Sequence, residues 1–289
     1  MKVPRYRKGM RLLGGIGLLA FALAGGPAFA GIQNSLHDLS TGSTSASKSA
    51  TGTTEICVFC HTPHGSAANT SGPLWNRGAS LSAGSYTLYS NGESLDSAVQ
   101  QPSSSSTACL SCHDGSVAMD ILINAPGSGG YTAGGAAAGY TWAAGNTVID
   151  SSTKKMLSTV VANLGSDLSN DHPIGVAYCG GFKSAGGCVD GDFFTTALMK
   201  NGSTTGNTSN GSGATDKWWI DTAGGTAGTR DKTDIILFSR NFTQTSPGAS
   251  GYQPSVECAS CHNVHDPSNG TFLRMSNASS ALCLACHNK

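Results

Sequence analysis

One five-residue pattern, Cys-x-x-Cys-His, recurs four times in this chain of 289 residues. It stands at Cys57, Cys60 and His61; at Cys109, Cys112 and His113; at Cys258, Cys261 and His262; and at Cys283, Cys286 and His287. The spacing has a chemical reason. Two thiols three residues apart share one helical turn, so both can add to the vinyl groups on one edge of a haem, and the following His projects over the ring to bind iron. Zinc binding calls for Cys-x-x-Cys pairs but not for a His after each of them. A disulfide framework leaves the same four His unexplained. The pattern therefore predicts four covalently bound haem c groups.

The remaining His fit the same count. Four irons have eight axial positions, and the chain has 8 His. His37, His64, His172 and His265 are the candidate distal ligands. Met119, Met156, Met199 and Met275 are the competing ligands. His64 and His265 each follow a motif His by three residues. Two His so close cannot reach opposite faces of one haem, so these two must serve other haems, which packs the haems closely. His172 lies in Asp171-His172-Pro173, where proline limits helix continuation and Asp171 can orient the ring. His37 precedes Ser40–Thr54, whose Ser, Thr, Gly and Ala content reads as a flexible or extended arm.

Two cysteines are left over. Cys179 and Cys188 are expected to form one disulfide in an exported protein, with two unpaired thiols as the alternative.

Export is read from the N-terminus. Lys2, Arg5, Arg7, Lys8 and Arg11 precede an apolar stretch, Leu12–Ala24, and the small-x-small site Ala28-Phe29-Ala30. That is the layout of a secretory signal peptide over residues 1–30, with an apolar run short for a bilayer span. The whole chain balances 17 basic against 17 acidic residues. Loss of the leader's five basic residues leaves the mature chain acidic, which argues against a nucleic-acid partner. No membrane span is expected after cleavage.

The expected organisation follows from the motifs: an arm over 31–56, then a tetrahaem cytochrome domain over 57–289. The domain divides into a haem pair at 57–113, an insert at 114–257 and a haem pair at 258–287. With only 12% charged and 7% aromatic residues, and few aliphatic runs, the chain predicts mostly irregular coil templated by haem. Short helices are expected at the haem motifs, with a few short strands. Asp234–Ser239 reads as a strand and 156–164 as a short helix, with Trp218 and Trp219 as apolar points. Seven Asn-x-Ser/Thr sequons, at Asn69, Asn201, Asn207, Asn210, Asn241, Asn269 and Asn277, leave surface glycosylation open.

Several segments together resemble a known family. Asn34-Ser35-Leu36-His37-Asp38-Leu39-Ser40, the run Cys57–His64 with its His61-Thr62-Pro63-His64, the Asp171-His172-Pro173 loop and the doubled C-terminal motif resemble the tetrahaem OmcE-type outer-surface cytochromes. The resemblance implies head-to-tail polymerisation into an extracellular filament (a nanowire), a continuous haem stack, and one axial His donated to the adjacent subunit. By position, His37 matches that donor. The expected role is long-range electron transfer to other redox proteins or extracellular acceptors, with every iron bis-His ligated and no catalytic residue. A multihaem reductase of a small oxyanion, which needs one open iron, and a monomeric periplasmic shuttle are the alternatives.

Overall fold

A chain this polar closes its turns with side chains. A computed structural model describes residues 31–289 except 68–71, 78–85, 90–94, 128, 182–187, 200–216, 223–225, 227 and 244–250. Within it, Asp38, Asp114, Asp150, Asp167 and Asp266 each accept hydrogen bonds from the N–H and hydroxyl of a Ser two residues on: Ser40, Ser116, Ser152, Ser169 and Ser268. These local bonds compete with helix and sheet and favour turns. They hold the Asp167 and Asp266 carboxyls below the usual carboxylate range, and Asp150, bonded also to Thr153, at about 2.

The result is mostly coil with short helices and small strands. Helix α1 (Ser104–His113) is capped by Ser103, whose hydroxyl accepts from the Ser105 N–H. Helices α2 (Cys258–Cys261) and α3 (Ala281–Leu284) are single turns, and Cys57–Phe59 is a 3₁₀ turn. Each haem motif thus starts on, or ends, a helical turn, as the Cys-x-x-Cys spacing predicts.

The strands are β1 (Ser49–Thr51), β2 (Ile121–Asn124), β3 (Tyr131–Ala137), β4 (Thr141–Trp142), β5 (Val176–Ala177), β6 (Ala197–Met199), β7 (Lys217–Ile220), β8 (Ile235–Phe242) and β9 (Gly251–Val256). β1 pairs with β4 and β2 with β3, both antiparallel. The other five form an antiparallel sheet in the order β5-β9-β8-β7-β6, with Trp219 opposite Ile236 and Phe238 opposite Ser255. The expected strand at Asp234–Ser239 is present as the longer β8. The sheet serves the motifs: β9 ends at Val256, and Glu257 then caps α2 with a reciprocal bond to Ser260. Gly175 enters β5 at φ +71°, where an added Cβ would lie 2.3 Å from the Gln100 carbonyl, so glycine is required.

Two apolar clusters flank the motifs. Phe59, Met119, Leu122, Trp142, Ile149 and Met156 form one, with Cys60 and Cys112 at its margin. Tyr178, Trp218, Ile220, Ile235 and Leu237 form the other, with Leu282, Ala285 and Cys286 at its margin.

Two sequence expectations need correction. Residues 156–164 form no helix. They run as successive turns, with Val160 N–H donating to the Leu157 carbonyl and Asn163 N–H to the Val160 carbonyl. The Asn163 amide also donates to the Met156 carbonyl and holds the run bent. Residues 40–54 are not a free arm. Ser43, Ser45, Ser47 and Ser49 are all buried, Ser47 donates to the Leu36 carbonyl at 2.7 Å, and Ser49–Thr51 is strand β1. Small hydroxyl side chains on every second residue pack where apolar ones would, and those of Ser43, Ser45 and Ser47 find hydrogen-bond partners nearby. The leader at 1–30 and the sequons Asn69, Asn201, Asn207 and Asn210 lie outside the described residues.

Candidate metal centres

The first and third motifs are built alike. After Cys57–Cys60 the chain loops out and returns so that His61 bridges Trp75; after Cys258–Cys261 it returns so that His262 bridges Leu273. Thr62 N–H donates to the Leu74 carbonyl at 2.8 Å, and Asn263 N–H to the Phe272 carbonyl at 2.7 Å. Asn76 N–H reaches the Cys60 carbonyl, and Arg274 N–H the Cys261 carbonyl. Leu74 and Phe272 both take positive φ, at 55° and 59°. The sequence shows the shared Cys-x-x-Cys-His-x-x-His but not this return, because Leu74–Asn76 and Phe272–Arg274 have little chemistry in common.

The return sets the imidazole. His61 Nδ1 lies 2.7 Å from the Pro73 carbonyl, and His262 Nδ1 lies 2.8 Å from the Thr271 carbonyl. His113 Nδ1 lies 2.8 Å from the Ala162 carbonyl, contributed by the bent run at 156–164. A carbonyl only accepts, so each Nδ1 carries the hydrogen. Nε2 keeps its lone pair, which is the tautomer a metal takes, in an orientation fixed by the second bond. His287 bridges Phe193, and that ring packs on it with centroids 4.4 Å apart.

Two distal candidates come to motif His within the chain. His265 lies 6.1 Å from His61, and His37 lies 6.0 Å from His113, between ring centroids. Two imidazoles on opposite sides of one metal stand roughly 6 Å apart by centroid, given metal–nitrogen bonds of about 2.0–2.1 Å. His172 is near enough to His287 for that ring to lower its pKa further, after the effect of burial. Burial likewise lowers His113 and, with His61, His265. It holds His37 at about 4, helped by His113, His262 and His265. Neutral imidazole is the ligating form. His64, like His172 and His265, is exposed.

The thiols give the order of the motifs. The Cys112 thiol stands near Cys60, Cys109 stands near Cys258, and Cys261 and Cys283 stand near Cys286. Burial pushes Cys60 and Cys286 up to about 12 and Cys261 to about 11. All eight motif cysteines are unpaired. Cys179 and Cys188 are joined, with Cα atoms 5.4 Å apart. Among the described residues no three Cys, His, Asp or Glu side chains converge on one metal position.

Residues 253–289 match the family model for the doubled CXXCH motif. The doubled motif marks a multihaem c-type cytochrome. No curated protein matches the chain. The cofactor that the motif implies is covalently bound haem c, and the residues of this chain fit it. The thiols are unpaired, three Nε2 atoms are left free by their Nδ1 bonds, and His37 Nδ1 is buried without a hydrogen-bond partner. The insert at 114–257 supplies part of the setting: Ala162 for His113, and His172 and Phe193 for His287. Met119 and Met156 are spent on the apolar core. Among the described residues no helix is long and apolar enough to cross a membrane.

Proposed function

We propose that the chain is an exported carrier of electrons holding four haems, each between two His, and that it polymerises head to tail on the outer surface of the cell. Haem c supplies a one-electron ferric/ferrous couple, and His/His ligation sets it lower than His/Met. The chain's own residues attach, orient and enclose it. In this reading His61 pairs with His265, His113 with His37, and His287 with His172.

That assignment leaves His64 and His262, and the repeat supports joining them. Inside the chain, the His three residues after the third motif, His265, reaches the His of the first, His61. His64 is the equivalent residue of the first motif, and it is exposed. The same link made between chains joins His64 of one subunit to the haem on His262 of the next. Such a contact is heterologous and generates an open filament unless the rotation closes. His64, rather than His37, is then the donor across the joint, because His37 stands 6.0 Å from His113 of its own chain.

The observation that carries this reading is the pair of His–His separations near 6 Å. The test compares two variants. His64→Ala is expected to keep all four haems, lose filaments and leave one iron with an open or replaced axial position. His37→Ala is expected to keep filaments and open the iron on His113. Filaments from His64→Ala, or none from His37→Ala, overturn the assignment. A second reading has one support: His262 is exposed and unpaired in a single subunit. A monomer would then present one open iron, as a reductase requires. A wholly low-spin spectrum from intact filaments excludes that reading.

A further inference from the structure

Arg77 is buried to 1% exposure, yet it has no carboxylate partner among the described residues. Its guanidinium donates to three carbonyls instead. Nη1 bonds Met119 at 2.9 Å, and Nη2 bonds Ser111 at 3.2 Å and Ala118 at 2.8 Å. Its Nε is buried without a partner. A guanidinium does not lose its proton in a protein, so the charge is permanent. Carbonyl dipoles solvate it but do not neutralise it.

Its place is specific. Asn76, one residue before, donates its N–H to the Cys60 carbonyl at 2.9 Å and its amide to the Val58 carbonyl. The Ser111 carbonyl that Arg77 binds belongs to the residue before Cys112. Asn76 and Arg77 therefore splint the first motif to the second and leave a fixed cation between them. The joint between the second and third motifs is built the same way but is neutral. Glu257, 1% exposed, accepts from Ser103 N–H and the Ser106 hydroxyl of α1, and Arg240 pairs with it at 3.0 Å. Arg274, the cation beside Cys261, is only half-buried and so more screened by solvent.

We propose that Arg77 is a potential-setting residue, which raises the reduction potentials of the two haems attached at Cys57/Cys60 and Cys109/Cys112. The proposal rests on the haem reading above. Ferric haem carries one more positive charge than ferrous, so a cation fixed nearby in a low dielectric favours the ferrous form. Water and salt cannot screen it where it lies.

The test is a spectroelectrochemical titration of the holoprotein after a haemochrome count of four; a lower count breaks the haem reading and not this one. In Arg77→Met, two of the four haems should titrate lower, with the ferrous-to-ferric ratio at fixed potential down about tenfold, or about 59 mV for a one-electron couple. Arg77→Lys keeps the charge and loses carbonyl bonds. It should melt at a lower temperature while its ratios stay within about threefold of the parent. Should Arg77→Met fail to load haem, Arg77→Gln removes the charge while keeping a donor, and the same drop is expected. Four unchanged midpoints in the uncharged variant, or a Lys variant that shifts as far as the Met variant, overturn the proposal.

Discussion

The two motif pairs share one local scaffold and differ in how it is closed. In the C-terminal pair, His262 and Cys283 are joined by a short return, and the whole unit falls within the doubled motif matched at 253–289. In the N-terminal pair, the return through Pro73–Asn76 is followed by a longer excursion before α1, and the chain must come back from Ala162 to complete His113. Each pair holds its first His by its own return, and each takes part of the setting of its second His from the insert, Ala162 for His113 and Phe193 for His287. The modules also differ in direction. The His three residues after the third motif is exposed like its counterpart His64, but it stacks on His61 of its own chain. The buried charges differ as well: an unpaired Arg77 splints the first joint, a neutralised Glu257 the second.

The largest effect expected is on the linking His. His265→Ala should open the iron on His61 in monomers and filaments alike, whereas His64→Ala should remove filaments altogether and leave the monomer's spectrum unchanged. Spectra of separated subunits, set beside filament images, distinguish the two. Equal behaviour of both variants would break the comparison between the modules.

Next is the neutral joint. Glu257→Ala strands Arg240, 15% exposed at its side chain, beside an empty carboxylate site. Breaking a buried pair costs about 3–5 kcal/mol. The loss should appear as a lower Tm with four haems still attached, and a Tm within a degree or two of the parent would contradict it.

The disulfide belongs to the C-terminal half. Cys179 and Cys188 enclose a loop of sequence separation 9, and Cys179 is in the apolar cluster beside Cys286. Replacing both by Ser should lower stability by about 2.5–3 kcal/mol in the chain-entropy picture. Proteolysis should report loosening near His287 first. Cleavage beginning instead around 57–113 would sink this prediction.

The smallest effect concerns the bent run. Asn163→Ala removes the bond to the Met156 carbonyl and should cost about 1 kcal/mol. It should also broaden the ligand geometry of His113, visible in the low-spin EPR signal. No change in that signal would separate the run from the ligand.

The parts of the fold legible in the sequence were those set by short spacings. Cys-x-x-Cys predicted a helical turn at each motif, and Asp234–Ser239 predicted β8 from a short apolar run. What escaped was set by partners far along the chain. The apolar residues between Met156 and Leu164 suggest a helix, but the run is held bent by Asn163 and by the demand of His113 for a carbonyl. Ser40–Thr54 reads as a linker by composition, yet Ser43, Ser45, Ser47 and Ser49 alternate with period two, which was the available signal of a packed extended segment. The sequence offered the eight His as candidate ligands. Which of them lie together was not legible, since 75 residues separate His37 from His113 along the chain. Nothing local marks Arg77, because its partners are main-chain carbonyls that any sequence supplies.

The central claim is that the His–His pairs repeat from module to module and then across subunits. A cryo-electron microscopy map of filaments, at a resolution that shows axial ligands, tests it most directly. The account predicts four haems per subunit, held by His61 and His265, His113 and His37, His287 and His172, and His262 with His64 of the neighbouring subunit. A map with His37 crossing the joint, or with His64 free and the iron on His262 ligated from its own chain, would contradict it.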